Sequence, residues 1–310
     1  MDHSAVALWG LFIGSSLRLA MPMLFAALGE LVSERAGVLN LSLEGMMLMG
    51  AFAGAMGALW TGQPLLGLAL AIVAVLPIAA LQAWLSVRLH ANQIVSGIGI
   101  NILVLGATTF AYRELVGLRS RVQIPGLATW TPPGLEGIPV FGAALQQSWL
   151  LYLAFAIAVA IAVLLRRTAV GLAIHAAGAE PAALDKSGGS VARVRLGAVL
   201  FAGVMSALGG AFLSLGDIHT FTEGMTNGAG YLALVGVIFG NWKTGRTVLA
   251  CVFFGAATAL QFQLPALGIE VPTALLIMLP YVMALLAVAG LVGRQSPPAA
   301  LTEPYLQPGR

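Results

Sequence analysis

Residues 64–87 read PLLGLALAIVAVLPIAALQAWLSV and contain no aspartate, glutamate, lysine or arginine. A helix needs about 20 mostly apolar residues to cross a bilayer, so this stretch is long enough for one span. The same four residue types are absent from 46–87, 89–112, 137–165, 196–216, 224–242, 247–269 and 271–293. Each of these stretches can hold at least one span, and 46–87, interrupted by TGQP, can hold two.

The composition supports the same conclusion for the whole chain. It is 59% hydrophobic and 9% charged, with a mean hydropathy of +0.94, whereas soluble domains carry roughly 25% charged residues. We therefore predict an all-α polytopic membrane protein with the lipid bilayer as its surroundings. The formal charge of +3 is too small and too scattered to indicate a nucleic-acid partner.

The charge-free stretches predict about nine transmembrane helices, near 5–28, 44–60, 64–87, 94–113, 148–165, 196–215, 227–241, 247–263 and 272–291. The longest charged connection, 166–195, is basic, and basic loops stay in the cytoplasm. Counting from this loop places 29–43 and the C-terminus in the cytoplasm and the N-terminus outside. The outer connection 114–147 is interpreted either as a lid or docking surface or as an ordered loop.

Two further features concern the organisation of the chain. Glu44-Gly45-Met46 recurs as Glu223-Gly224-Met225 on the opposite predicted side, which fits either an inverted repeat, common in transporters, or chance. The segment 294–310 carries four prolines and is predicted to be a disordered cytoplasmic tail.

The chain offers few groups for catalysis. Its four histidines, at 3, 90, 175 and 219, have no metal-ligand spacing. The segment GNWKTGR at 240–246 has Trp242 where a phosphate-binding loop needs glycine. Transport is therefore the default function. Ion-coupled transporters usually keep ionisable residues inside the membrane. Away from their end residues, the predicted spans contain Arg18 as their single charged side chain, which favours an uncharged path powered from elsewhere.

The cytoplasmic segment 171–195 predicts a short helix of about two turns. Pro181 suits a first helical position, where its missing N–H is not needed, and Gly188-Gly189 ends the helix. Such a helix could either cap a connection between spans or be the contact through which a separate ATPase moves the spans. Composition does not separate these two interpretations.

Three stretches resemble one family of membrane proteins. They are ERAGVLNLSLEGMMLMGA at 34–51, NQIVSGIGINILVLGATTF at 92–110 and AAGAEPAALDKSGGSVARVR at 176–195. The chain is similar to the membrane subunits of bacterial ABC importers in the branched-chain amino acid and simple-sugar permease superfamily. It looks most like the shorter of two permeases in nucleoside importers that work with basic-membrane-protein-type lipoproteins.

The resemblance implies a single transmembrane permease domain over 1–293 in the bacterial cytoplasmic (inner) membrane. It implies three protein partners: an ABC ATPase subunit that carries ATP and Mg, a second homologous permease, and an extracytoplasmic substrate-binding lipoprotein. No cofactor is expected in this chain, and the chain itself is not expected to be an enzyme. The implied cargo is a nucleoside, with a simple sugar as the alternative and an ion-coupled secondary transporter as the alternative of another class.

The third stretch corresponds to the loop that contacts the ATPase in this family. It departs from the usual pattern, because Gly178 is followed by Ala179, the acidic residue comes one place later at Glu180, and Leu184 replaces a common alanine. The resemblance assigns the coupling contact to Gly178, Glu180, Pro181, Ala182, Ala183, Asp185 and Gly188.

A nucleoside is neutral, with several hydrogen-bond donors and acceptors, so uncharged polar side chains suit its passage. With Glu44 added from the first motif, the pathway candidates are Asn40, Glu44, Asn92, Gln93, Ser96, Asn101, Thr108 and Asn227. The alternative is that these groups bind helices to one another.

Two interpretations of the first motif remain open. If Asn40 or Ser42 caps the second span, Glu44 lies in its first turn, where the helix dipole favours negative charge. In the other interpretation, the span is broken and its ends face a cavity. Glu34 and Arg35 are predicted to form an ion pair beside the membrane, with a substrate site as the alternative.

Overall fold

The computed structural model of the chain describes residues 3–117, 122–131, 144–266, 271–286 and 296–306. The prediction of an all-α fold is confirmed, apart from one short ribbon in which β1 (Thr129–Trp130) pairs antiparallel with β2 (Gln147–Ser148). The helices are α1 (His3–Arg35), α2 (Leu43–Thr61), α3 (Pro64–Val87), α4 (Gln93–Leu115), α5 (Trp149–Arg167), α6 (Ala169–Ala179), α7 (Pro181–Lys186), α8 (Val191–Ala211), α9 (Ala229–Phe239), α10 (Thr244–Ala266) and α11 (Thr273–Leu286).

Within the described residues, seven helices are long and apolar enough to cross a membrane. They are α1 from Trp9 onward, α2, α3, α4, α5, α8 with the π-helical turn Phe212–Asp217 that continues it, and α10. The predicted count of nine is not confirmed. The segment predicted at 227–241 contains α9, which has 11 residues and at 1.5 Å per residue covers about 16 Å, roughly half of the hydrocarbon layer. In α11, 14 residues are helical, and part of its predicted span lies outside the described residues.

The centre of the bundle is formed by α1, α2, α8 and α10, whose backbones approach closely where glycine removes the side chain. A Cβ atom on Gly50 of α2 would lie 2.7 Å from the Ala207 carbonyl oxygen of α8. One on Gly29 of α1 would lie 2.8 Å from the Ala202 Cα atom of the same helix α8. Small residues at these crossings are typical of membrane helix packing.

The closest approach predicts a destabilising substitution. In Gly210→Ala, the new methyl group would overlap the Met47 carbonyl oxygen and force α2 and α8 apart. Overpacking of this kind costs about 1–3 kcal/mol. We therefore expect a lower midpoint of thermal unfolding, measured by tryptophan fluorescence on the purified protein in detergent.

The matched control is Gly197→Ala in the same helix, because a Cβ atom at Gly197 would meet nothing within 4 Å. Alanine favours helix over glycine by about 1 kcal/mol, so this variant should unfold at the wild-type temperature or above it. Equal midpoints for the two variants would contradict the packing of α2 against α8.

Candidate functional site

The connection between α1 and α2, residues 36–42, is not helical but folds into the interior of the bundle; we call it the junction. The backbone N–H of Asn40 donates to Glu30 Oε1 at 2.8 Å. The side-chain oxygen of Asn40 accepts from the Ser42 N–H at 3.1 Å and from the Ser42 hydroxyl at 2.5 Å. All three residues are fully buried. The predicted cap of α2 is therefore wrong in detail, because Ser42 stands at the N-cap position but its hydroxyl bonds to Asn40.

Two side chains of α4 form hydrogen bonds to the backbone of the junction and of the start of α2. Gln93 Oε1 accepts from the Leu39 N–H at 2.8 Å. Two turns further along, Asn101 Oδ1 accepts from the Gly45 N–H at 2.8 Å, and its Nδ2 donates to the Leu41 carbonyl at 2.8 Å. The Asn101 amide therefore bonds to the Leu41 carbonyl and the Gly45 N–H, two backbone groups that would bond to each other in a regular helix.

Glu44 joins the starts of two helices. It lies in the first turn of α2, as predicted, but its carboxylate contacts the start of α9. Oε1 accepts from the Thr226 hydroxyl at 2.6 Å and the Gly228 N–H at 2.8 Å, while Oε2 accepts from the Gly230 N–H at 2.8 Å. A negative charge at a helix N-terminus is favourable, so this carboxylate caps α9 from another element. The other interpretation, a broken second span, is wrong for α2, which is continuous over Leu43–Thr61. The half-length helix at this contact is α9.

Glu34 and Arg35 do not form the predicted ion pair. The ion pairs of the described residues are Arg18–Asp217 and Arg113–Glu223. Instead, both residues bind Trp242, whose indole N–H donates to Glu34 and whose carbonyl oxygen accepts from Arg35 Nε at 2.9 Å. Trp242, which stands where a phosphate-binding loop would need glycine, therefore fixes the end of α1 to the connection between α9 and α10.

Arg35 also reaches towards the basic loop. Its Nη1 lies 3.3 Å from His175 Nδ1 on α6. Partial burial, together with the positive charge of Arg35, lowers the pKa of His175 below its usual value. A neutral imidazole can accept this hydrogen bond through Nδ1.

The remaining pathway candidates are less central. Asn92 caps its own helix α4, accepting from the N–H groups of Ile94 and Val95 at 3.0 and 3.2 Å. The hydroxyls of Ser96 and Thr108 bond to carbonyls within the same helix. Asn92 and Gln93 line a cavity of about 330 Å³, together with Ser86, His90, Ala91, Ile94, Thr302 and Pro304.

A smaller cavity of about 210 Å³ lies beside the start of α9, between α1, α9, α10 and α11. Its polar lining comes from Thr226, Asn227, Thr258, Gln261 and Tyr281. The Tyr281 hydroxyl donates to the Asn227 carbonyl at 2.7 Å. Of the eight candidates, only Asn227 lines this cavity. Thr258, Gln261 and Tyr281 are not among the residues predicted from sequence, although their polar side chains lie within the predicted spans 247–263 and 272–291.

The predicted coupling segment forms α7, which begins at Pro181 as expected and ends before Gly188, whose φ is +84°. It has six residues rather than two full turns. Glu180 and Ala183 are exposed, whereas Leu184 is buried. Gly178, near the end of α6, packs its backbone against the Arg35 carbonyl and the Gly37 nitrogen, so the predicted coupling segment contacts the junction directly.

The described part of the C-terminal tail, 296–306, is ordered against the same end of the bundle, in contrast to the disorder predicted for 294–310. The Ala300 N–H donates to the Gly178 carbonyl at 2.8 Å, and the Thr302 N–H donates to the Gly37 carbonyl at 3.2 Å. Proline-rich composition predicts disorder, but these two backbone amides donate hydrogen bonds to carbonyls of two other segments.

The role of Glu44 can be tested by one substitution. In Glu44→Gln, one carboxylate oxygen becomes an NH₂ group, which faces donors of α9 and leaves an N–H without an acceptor. Leaving a buried donor unsatisfied costs about 1–3 kcal/mol. We expect a lower unfolding midpoint in detergent than for Glu223→Gln, which removes the same charge from the other Glu-Gly-Met segment, where Glu223 pairs with Arg113 at the surface. Indistinguishable midpoints would show that Glu44 does not cap α9.

Comparisons with known proteins identify the family of the chain. A family model described as branched-chain amino acid transport system / permease component matches residues 12–288. The chain is 33% identical to the guanosine ABC transporter permease protein NupQ of Bacillus subtilis, over 97% of this chain and 98% of that protein. It is 29% identical to the nucleoside ABC transporter permease protein NupC of Lactococcus lactis, over 94% and 95%.

A third relative is named for glucose and not for a nucleoside. The putative glucose ABC transporter permease protein TsgC13 of Haloferax volcanii is 35% identical, over 83% of this chain and 78% of that protein. No solved structure matches the chain. Because the family model covers most of the sequence, including the junction, α7 and α9, the chain belongs to the branched-chain amino acid transport system permease family.

Proposed function

We propose that this chain is the shorter permease subunit of an ATP-driven importer of nucleosides. The observation that carries the proposal is similarity along nearly the whole chain to permeases named for guanosine and for nucleosides. The polar groups around the cavity at α9 are hydroxyls and amides, which suit a neutral cargo rich in donors and acceptors. Glucose is the second candidate cargo, because the relative named for it is 35% identical.

Permease subunits of this family are not enzymes. An ABC permease works with an ATPase and a substrate-binding protein. We further propose that the ATPase holds ATP and Mg, that a second, longer permease pairs with this chain, and that the binding protein is a lipoprotein. The chain would lie in the bacterial inner membrane. The end of the bundle that carries the junction, α7 and the tail would face the cytoplasm, because this end also carries the basic residues Arg166, Arg167, Lys186 and Arg193.

Within this proposal the polar residues have two roles. Those at the cavity beside α9, among them Asn227, would contact the cargo. Those at the junction, including Asn40, Gln93 and Asn101, already bond to backbone groups and would shape the path rather than bind cargo. Asn92, Ser96 and Thr108 stay pathway candidates at α4.

The proposed function is tested by reconstitution. The chain, its paired permease, the ATPase and the binding protein are placed in liposomes with ATP and Mg inside, and uptake of labelled guanosine, adenosine, uridine and glucose is compared. We expect nucleoside uptake that stops without ATP. Uptake of glucose alone would transfer the assignment to sugars, and uptake by this chain alone that an ionophore abolishes would replace it with ion-coupled transport.

The coupling role of α7 is tested by bulky substitutions at its exposed positions. Glu180→Trp and Ala183→Trp should disturb the contact with the ATPase, so that uptake falls about tenfold or more while the amount of folded protein stays unchanged. Leu172→Trp serves as the control, because Leu172 is exposed on α6. Wild-type uptake in both α7 variants would refute the coupling assignment.

A further inference from the structure

Arg195, in the second turn of α8, is the point at which three distant segments meet. Its side chain is 3% exposed. Nε donates to the Ala36 carbonyl at 3.2 Å, and Nη2 donates to the Ala177 carbonyl at 3.1 Å. Nη1 donates to the Glu303 carbonyl at 2.7 Å, and Nη2 also approaches the Ala300 carbonyl at 3.5 Å. One guanidinium thus binds the junction, the segment before α7, and the tail.

The three segments also bond directly to one another around this side chain. The tail joins Gly178 and Gly37 through the two backbone bonds described above, and the Tyr305 hydroxyl donates to Asp185 Oδ2 of α7 at 3.2 Å. Gly37 has φ +92°, and a Cβ atom there would lie 2.8 Å from Arg195 Nη2. Glycine is therefore required where the junction passes beneath the guanidinium.

This contact differs from an ordinary buried ion pair. Buried arginines usually pair with carboxylates, whereas the hydrogen bonds of Arg195 within the described residues all go to backbone carbonyls. Carbonyls hold a segment by its backbone, so these hydrogen bonds fix position, while the Glu303 carboxylate acts on the guanidinium charge without a direct ion pair. A planar fork with five donors can serve several carbonyls at once, which the single ammonium of lysine cannot reproduce.

The contacts provide a short mechanical route. Gly178 precedes α7 by three residues, and the junction runs directly into α2 and Glu44. A displacement of α7 would move 177–178, and Arg195 together with the tail would carry it to 36–37. From there it would reach Glu44 and the start of α9, beside the cavity.

We propose that Arg195 and the tail residues 296–306 form a clamp that transmits movement of α7 to the junction. In this account Arg195 is a positioning residue and does not touch cargo. The inference rests on the proposed coupling role of α7 and adds to it a specific internal connection.

The test uses the complete reconstituted importer and two independent changes, Arg195→Lys and a chain that ends at residue 295. Uptake and ATP hydrolysis are measured on the same liposomes, and the cargo molecules moved per ATP hydrolysed are compared. We expect this ratio to fall about fivefold or more in both variants. Arg193→Lys is the control, because Arg193 lies exposed two residues earlier on the same helix.

A merely structural role gives a different result. If the clamp served folding alone, the amount of assembled importer would fall, but each assembled importer would keep the wild-type ratio, and this result would overturn the proposal. An unchanged ratio in the truncated chain, where Arg195 is intact, would remove the tail from the clamp. If Glu180→Trp and Ala183→Trp uncouple but neither clamp variant does, the proposed function stands and this inference falls. If the α7 variants also keep the wild-type ratio of cargo moved per ATP hydrolysed, α7 does not couple, and both the coupling assignment and this inference fail.

Discussion

A backbone that leaves the helical path inside a membrane bundle must have its polar groups satisfied by neighbouring elements, because lipid offers no hydrogen bonds. Residues 36–42 impose this constraint on the whole chain. Their amides and carbonyls are bound by side chains from three helices: Glu30 of α1, Gln93 and Asn101 of α4, and Arg195 of α8. These four side chains interrupt the apolar pattern because this segment requires hydrogen-bond partners.

The same constraint explains why α9 can be short. A half-length helix exposes unsatisfied N–H groups at its start, and Glu44 supplies the acceptors at Gly228 and Gly230. At its other end, Trp242 binds both Glu34 and Arg35. Both ends of α9 are therefore fixed to the segment that surrounds the junction. A displacement of the junction would move the start of α9, and with it the wall of the cavity that contains Asn227.

Local patterns predicted the regular part of the fold, and long-range contacts decided the rest. The charge-free stretch 64–87 became α3 with the predicted bounds, because length and hydrophobicity alone determine such a span. The span predicted to end at 28 instead continues to Arg35, because Glu30 is bonded by Asn40 of the junction and Glu34 by Trp242, far along the chain. Trp242 lies more than 200 residues from Arg35 in sequence, so no local pattern could reveal that it would replace the predicted ion pair. The prolines of the tail predict disorder, but the Gly37 and Gly178 carbonyls that accept hydrogen bonds from the tail belong to other segments.

We expect the junction, although not helical, to be held as firmly as the helices around it. Hydrogen–deuterium exchange on the protein in lipid nanodiscs measures this. The amides of Leu39 and Asn40, which donate to Gln93 and Glu30, should exchange as slowly as interior amides of α2. Exchange of these two amides at the rate of an unprotected amide would refute this.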